Sequence, residues 1–354
     1  MGIVEKFFNT YAEEYEAVVV VNDVNRYYFC GYETSFGVLL LTHNKNYFIT
    51  DLRYSLEAQT NVSKEFEIVE RKGFSGAIEF IAQFVENNSI QKLGYEGDTV
   101  LHSEYVALKA IGAKLVSVSD KINKMRSIKS EEELTFIRTA VEIADKAFLS
   151  AVKKIKSGVT ERDIAIELEY QAKLLGASDT SFDTIVAFGD RTACPHAHPS
   201  AIKLEKNTPI LVDFGVKYNH YCSDMTRVLS FGEPSSKIKA LHSAVLSAQK
   251  YALGELRSGI TGREADSFAR EYLNARGLGD NFTHSLGHGV GLEIHEAPTL
   301  SYANDEELIE NMVVTVEPGA YINGVGGVRI EDTVIIKQNG IELLNNVSKD
   351  IIIL

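Results

Sequence analysis

Ile210 to Phe231 reads ILVDFGVKYNHYCSDMTRVLSF. Two β-rich runs flank a polar turn. A turn centred between Tyr218 and Asn219 puts Asp213 and Asp224 opposite each other, each five residues from the nearer turn residue. Opposed residues of an antiparallel pair share a face, with Cβ atoms roughly 4.5–5.5 Å apart. Two carboxylates that close repel unless one takes a proton or a cation lies between them. The apolar runs on either side suggest partial burial, which raises the cost of an uncompensated charge. Alone, the pair reads equally well as two solvated acids at a hairpin edge.

Val313 to Ile336, VVTVEPGAYINGVGGVRIEDTVII, repeats the pattern around a glycine-rich turn. Gly324 is the midpoint between Glu317 and Glu331, so these glutamates should also face each other. Two hairpins that each present a carboxylate pair are an unusual coincidence. Between them lies THSLGHGVGLEIHEAP, Thr283 to Pro298, with His284, His288 and His295. Four carboxylates and a histidine suit Mn²⁺, Co²⁺, Fe²⁺ or Zn²⁺ better than a thiolate-type zinc site does. They are also enough to bridge two ions, an arrangement that activates water for hydrolysis. His284 and His288 have the spacing of a helical zinc motif, but Ser285 stands where that motif needs Glu, which excludes an HExxH protease.

DFG at Asp213, SDMTR with Asp224, GHGVGLEIHEAP, VEPGAY with Glu317 and GVRIED with Glu331 occur in this order. Together they resemble the pita-bread metallopeptidases: methionine aminopeptidase, aminopeptidase P and prolidase. The resemblance is close from about Lys124 to the C-terminus and looser before it. It implies metal ligands at Asp213, Asp224, His288, Glu317 and Glu331, with Asp213 and Asp224 on one ion. Asp224, His288, Glu317 and Glu331 would hold the other, Asp224 and Glu331 bridging. It implies catalytic roles for His196, His295 and Glu317, the last as proton shuttle, and substrate contacts for His284 and Arg329. For His284 a purely structural hydrogen bond is the competing reading. The cofactors it implies are two divalent ions, Mn²⁺ or Co²⁺ first and Zn²⁺ or Fe²⁺ after them.

A preceding segment of 123 residues argues against a methionine aminopeptidase and for a proline-specific member. The expected reaction is hydrolysis of the Xaa-Pro bond by a water or hydroxide activated between the ions, first of all in Xaa-Pro dipeptides. Aminopeptidase P, acting on longer Xaa-Pro peptides, is the alternative. Thr299 favours it, because many prolidases carry an arginine at that place. A non-catalytic pita-bread binding module is the remote third reading. The substrate is then a small peptide with proline second, and the resemblance implies a homodimer.

The 354 residues allow two domains, and 45% hydrophobic against 24% charged residues leaves ample core. The expected organisation is an α/β creatinase-like N-terminal domain over residues 1–123 and an α+β pita-bread domain over 124–354. In the first, short strands are read at Ala17–Val21, Gly37–Leu41, Tyr47–Thr50, Lys92–Tyr95 and Leu115–Val118, with helical character at Leu56–Ala58 and Ala77–Val85. NRYYFCGY (Asn25–Tyr32) and TDLRY (Thr50–Tyr54) resemble segments of the creatinase-like domain. In the second, Ser130 caps a helix running to about Lys156 and Thr160 caps another to about Leu175. Their glutamates read as a solvated face. A strand at Phe182–Ala187 leads to a loop in which Pro195 and Pro199 bracket His196.

A formal net charge of −13 with no basic patch argues against nucleic acid. No apolar run reaches the length of a spanning helix. The stretch MGIVEKFFNTYAEEYEA reads as an amphipathic helix rather than a signal peptide, and Lys6 spoils a myristoylation start. Cys30, Cys194 and Cys222 have no metal-type spacing and read as free thiols of a reducing cytoplasm. A cytoplasmic, membrane-free protein is expected.

Overall fold

Ala17 to Val20 is buried at every residue, which marks it as a central strand covered on both faces. The computed structural model describes residues 2–11 and 14–354. It divides into two compact units, Met1–Arg126 and Ser127–Leu354.

In the first unit, β1 (Ala17–Val20) runs antiparallel to β2 (Val38–Thr42) and parallel to β5 (Lys92–Tyr95). β3 (Asn46–Thr50), β4 (Phe66–Glu70) and β6 (Lys114–Ser117) complete a six-stranded sheet of order β4-β3-β2-β1-β5-β6. Side chains alternate between the two faces of a strand. Val18, Val20, Leu39 and Leu41 accordingly pack on one side with Phe7 and Phe8 of α1 (Ile3–Tyr11). Ala17, Val19, Val38 and Leu40 pack on the other with Ala77, Ile81 and Val85 of α4 (Gly73–Asn87). The expected N-terminal helix is α1; its continuation through Ala12 and Glu13 lies outside the described residues.

The short β-rich runs of the sequence locate five of the strands to within a residue or two, but β4 escapes that reading. So do α2 (Asp23–Cys30) and α5 (His102–Lys109). α2 depends on its ends: the Asn22 side chain caps Asn25 N–H, and Gly31 closes it at φ +70°. α3 (Ser55–Asn61) and α6 (Ser119–Ser127) finish the helices of this region.

The second unit repeats one plan twice. α7 (Glu131–Val152) and α8 (Glu161–Leu174) form a pair that packs on β8 (Ile185–Phe188), β9 (Thr208–Asp213) and β12 (Thr226–Phe231). α9 (Ser236–Glu255) and α10 (Gly262–Asn274) pack in the same way on β15 (Val313–Val316) and β18 (Asp332–Lys337). The predicted apolar stripe of α7, Leu134, Ile137, Ala140, Val141, Ala144 and Phe148, is buried. The helix ends at Val152, short of Lys156. Among the described residues no helix is long and apolar enough to cross a membrane.

α7 starts as its sequence predicts. Ser130 Oγ accepts from Glu133 N–H at 3.3 Å while Glu133 Oε2 accepts from Ser130 N–H at 2.8 Å. This reciprocal box satisfies two helix-end donors. Ser130→Ala is expected to cost about 1 kcal/mol of stability, read as a lower denaturation midpoint; an unchanged midpoint would show that the cap is dispensable.

Candidate metal centre

Each carboxylate of the site is placed by a hairpin register. In the first hairpin, β9 pairs with β12 from Thr208↔Phe231 to Asp213↔Thr226. β10 (Val216–Tyr218) and β11 (Tyr221–Cys222) continue it to Tyr218↔Tyr221. The turn is therefore Asn219–His220, at φ +46° and +70°. A two-residue turn of this hand needs positive φ at both central positions, which Asn tolerates better than most residues. This corrects the sequence reading: Asp213 faces Thr226, not Asp224. Side-chain direction has a period of two, so Asp224 stays on the same face as the diagonal neighbour of Asp213.

The second hairpin follows the predicted register. Val313↔Ile335 through Val316↔Asp332 and Gly319↔Arg329 through Ile322↔Gly326 share one pairing. Glu317 and Glu331 fall between the two ladders, opposite each other, and Gly324 sits in the turn at φ +73°. The ladder nearer the tip is formed by β16 (Gly319–Ile322) and β17 (Gly326–Arg329). His288 lies on β13 (Gly287–Gly289), paired with Thr299 of β14 (Glu296–Leu300), with a bulge after His288. A Cβ on Gly287 would lie 2.0 Å from Thr315 O, so only glycine permits this approach.

All nine residues singled out in the sequence line one cavity of about 580 Å³: His196, Asp213, Asp224, His284, His288, His295, Glu317, Arg329 and Glu331. Ligand atoms of Asp224, His288 and Glu331 lie within 4.8 Å of one another. His288 Nε2 is 3.3 Å from Glu317 Oε1 and 3.6 Å from Asp224 Oδ2. His288 Nδ1 is 3.1 Å from Gly289 O, an atom that only accepts, so Nδ1 carries a proton and Nε2 is aimed at the carboxylates.

The electrostatics ask for a cation. Burial and the adjacent carboxylates push Asp224 and Glu331 well above the usual carboxylate range. Burial raises Asp213 as well, against the pull of Arg329. Burial opposes charge on both Glu317 and His288, but their mutual attraction outweighs it, lowering the first and raising the second. Asp213 Oδ1, Asp224 Oδ1 and Glu331 Oε1 are buried with no hydrogen-bond partner among the described residues. Such atoms are costly unless something binds them. A set of carboxylate oxygens and one imidazole nitrogen, three of its oxygens orphaned, fits divalent metal ions of the Mn²⁺ to Zn²⁺ series.

Arg329 lines the cavity and is held mainly by the protein's own groups. Its guanidinium donates to Asp213 Oδ2 (2.6 Å), the Tyr321 hydroxyl (2.7 Å), Thr226 Oγ1 (3.1 Å) and Pro195 O (3.3 Å). Four of five N–H groups are thereby engaged by the protein, and the geometry makes Arg329 a holder of Asp213. His284 lines the cavity and makes hydrogen bonds of the structural kind: Nδ1 contacts Ser285 O at 2.9 Å and Nε2 the Tyr321 hydroxyl at 3.0 Å. His295 stacks edge-on against His288 at 4.3 Å, and burial, then His288, lowers its pKa. Its ring makes no hydrogen bond among the described residues and is free to meet a ligand. His196 is exposed on the cavity wall, as is His198, for which the motif implied no role.

Three residues of the site escaped the sequence reading. Glu161 was read as part of a solvated face, yet it is fully buried. It accepts from Phe188 N–H and Arg191 Nε on one side and Ser200 N–H on the other, pinning both ends of the loop that carries His196. Its place in the first turn of α8 looks like an ordinary helix-start acid, so nothing local marks it. Thr315 Oγ1 accepts from His288 N–H and donates to Glu317 Oε1 at 3.1 Å. Thr226 Oγ1 lies 2.6 Å from Glu331 Oε2. Thr226 sits inside SDMTR and Thr315 directly before VEPGAY, but threonine is also what a strand normally contains.

Comparison with known proteins agrees with this geometry. The model of metallopeptidase family M24 matches residues 135–338, and that of the creatinase/prolidase N-terminal domain matches residues 10–128. A Xaa-Pro dipeptidase of Pyrococcus furiosus is 38% identical over 341 residues, 95% of each chain. The structure of a Xaa-Pro dipeptidase from Bacillus anthracis is similar at TM-score 0.95 and 40% identity, over 99% of both chains. That of an X-Pro aminopeptidase from Thermotoga maritima is similar at TM-score 0.90 and 39% identity, over 96% of this chain and 98% of the other. The expected creatinase-like and pita-bread architecture is thereby shown.

Gly287→Ala tests the crowding behind His288. The added methyl is expected to cost about 1–3 kcal/mol and to lower the metal retained per chain after dialysis. Native melting and metal content in this variant would show that the close approach does not position the ligand.

Proposed function

The chain belongs to metallopeptidase family M24, and from that premise we propose that it hydrolyses the peptide bond preceding a proline in second position, first of all in Xaa-Pro dipeptides. The observation that carries this reading is the set of four carboxylates and His288 that line one cavity, three of their oxygens buried with no hydrogen-bond partner among the described residues. The domain from about residue 124 onward does the chemistry, and the active form is a homodimer.

Four carboxylates face one guanidinium, so one divalent ion leaves negative charge uncompensated and two offset it. Asp213 and Asp224 would hold one ion. Asp224, His288, Glu317 and Glu331 would hold the other, with Asp224 and Glu331 shared. Mn²⁺ or Co²⁺ suits this oxygen-rich set first, Zn²⁺ or Fe²⁺ after them. Held there, such ions would lower the pKa of a bound water and polarise the scissile carbonyl.

The chain's own groups do the rest. Glu317 Oε1 is held by Thr315 and His288, which leaves Oε2 to take the proton of the attacking water and pass it to the proline nitrogen. That nitrogen departs as an amine and needs the proton. His295 is kept neutral by its surroundings and has an unpartnered ring N–H to donate to the carbonyl oxygen as charge develops. His196 faces the same space from a loop stiffened by Pro195 and Pro199.

A second reading has its own support. With Arg329 largely engaged by the protein and Thr299 exposed on the cavity wall, the described residues that line the cavity offer no further arginine or lysine for a dipeptide's carboxylate. That favours an aminopeptidase P that accepts longer peptides.

Release of alanine from Ala-Pro and Ala-Pro-Ala, measured with Mn²⁺ or Co²⁺ and with a chelator, separates the readings. Metal-dependent cleavage of the dipeptide is expected; preference for the tripeptide would shift the assignment to aminopeptidase P, and no cleavage of either would overturn the function. Asp224→Asn should abolish turnover and lower bound metal, and full activity in that variant would sink the proposed ligand set. His295→Ala should lower kcat by about 10²–10³ with metal retained; loss of metal instead would mean that His295 supports the centre rather than the substrate.

A further inference from the structure

Thr226 is fully buried and stands between the two hairpins. A threonine hydroxyl has one proton to give and lone pairs to accept with. Arg329 Nε can only donate, and it lies 3.1 Å from Thr226 Oγ1, so the hydroxyl accepts there. Its single proton is then directed at Glu331 Oε2, 2.6 Å away. The same guanidinium donates through Nη2 to Asp213 Oδ2 at 2.6 Å. One hydroxyl thus joins Glu331 of the second hairpin to Asp213 of the first, through Arg329.

The two carboxylates at the ends of this chain share a feature. Each has one oxygen engaged by the chain, Oε2 of Glu331 and Oδ2 of Asp213. Each has its other oxygen buried and without a partner, Oε1 and Oδ1. A hydrogen bond to one oxygen restricts rotation of the carboxylate and occupies one lone pair of that oxygen, which leaves the unpartnered oxygen the readier one for an ion. The backbone secures the linker: Thr226 O accepts from Glu331 N–H at 3.2 Å and from Arg227 Nη1 at 3.0 Å.

We propose that Thr226 is a positioning residue of the metal centre, whose hydroxyl sets which oxygens of Glu331 and, through Arg329, of Asp213 are offered to metal. It touches no substrate. The inference rests on the metal-centre reading above and assigns a role to a residue outside the ligand set. Groups that orient ligands in this way commonly contribute roughly 10–100-fold in metal affinity.

Thr226→Val keeps the shape and removes the hydroxyl; Thr226→Ser keeps the hydroxyl. The test is titration of the metal-stripped proteins with Mn²⁺ by calorimetry, with thermal melts of the metal-free forms. Thr226→Val is expected to bind Mn²⁺ roughly 10–100-fold more weakly, and Thr226→Ser to bind close to native. Native affinity in Thr226→Val overturns the proposal, and so does a loss that serine fails to restore. Absence of Mn²⁺ binding by the native chain overturns the metal-centre reading itself and the proposal with it. Should valine prevent folding, Thr226→Ala, which only vacates space, takes the same titration with the same outcomes.

Discussion

Concentrated negative charge is the constraint on which the second unit is built. Four carboxylates converge on one cavity, and among the described residues that line it Arg329 is the one guanidinium. Mutual repulsion and desolvation would scatter such a cluster or protonate it. The fold resists by taking each carboxylate from a hairpin strand whose register is fixed by a packed core on its far side. The strain of assembling the centre is therefore borne by sheet pairing and helix packing rather than by the site, and it is relieved when cations bind.

Hydrogen bonds divide the work among the oxygens. Thr226 and Arg329 occupy one oxygen each of Glu331 and Asp213, and Thr315 supports Glu317 from behind. The histidines proposed to meet substrate are held in the opposite way. His295 has no protein hydrogen bond among the described residues, and His196 sits on a loop tied at both ends by Glu161 but open at its centre. Rigid ligands and available histidines are what hydrolysis at a metal centre requires: the first must not move, and the second must change partners as charge shifts.

Much of this was legible in the sequence because hairpins encode register locally. Glu317 and Glu331 can be placed opposite each other from the midpoint glycine alone, and the structure agrees. The first hairpin shows where that logic stops. Moving the turn from Tyr218–Asn219 to Asn219–His220 changes the partner of Asp213 but not its face, because side-chain direction repeats every two residues. The face, and with it the convergence of the acids, survives an error in register that the exact pairing does not. Cap residues were equally readable: Ser130 and Thr160 begin their helices where expected.

The order and spacing of DFG, SDMTR, GHGVGLEIHEAP, VEPGAY and GVRIED, visible in the chain itself, determined the family and which side chains converge, and the preceding residues with NRYYFCGY and TDLRY gave the two-part architecture. Tertiary structure alone decided what those side chains do to one another. It turned Arg329 toward Asp213, joined His284 to Tyr321, and buried Glu161 beneath the His196 loop although its helix position marks an exposed acid. The reason is one of range. Register, caps and side-chain face are set by neighbours a few residues away, whereas the partner of a buried charge comes from wherever the chain returns, here some 40 to 120 residues distant in sequence.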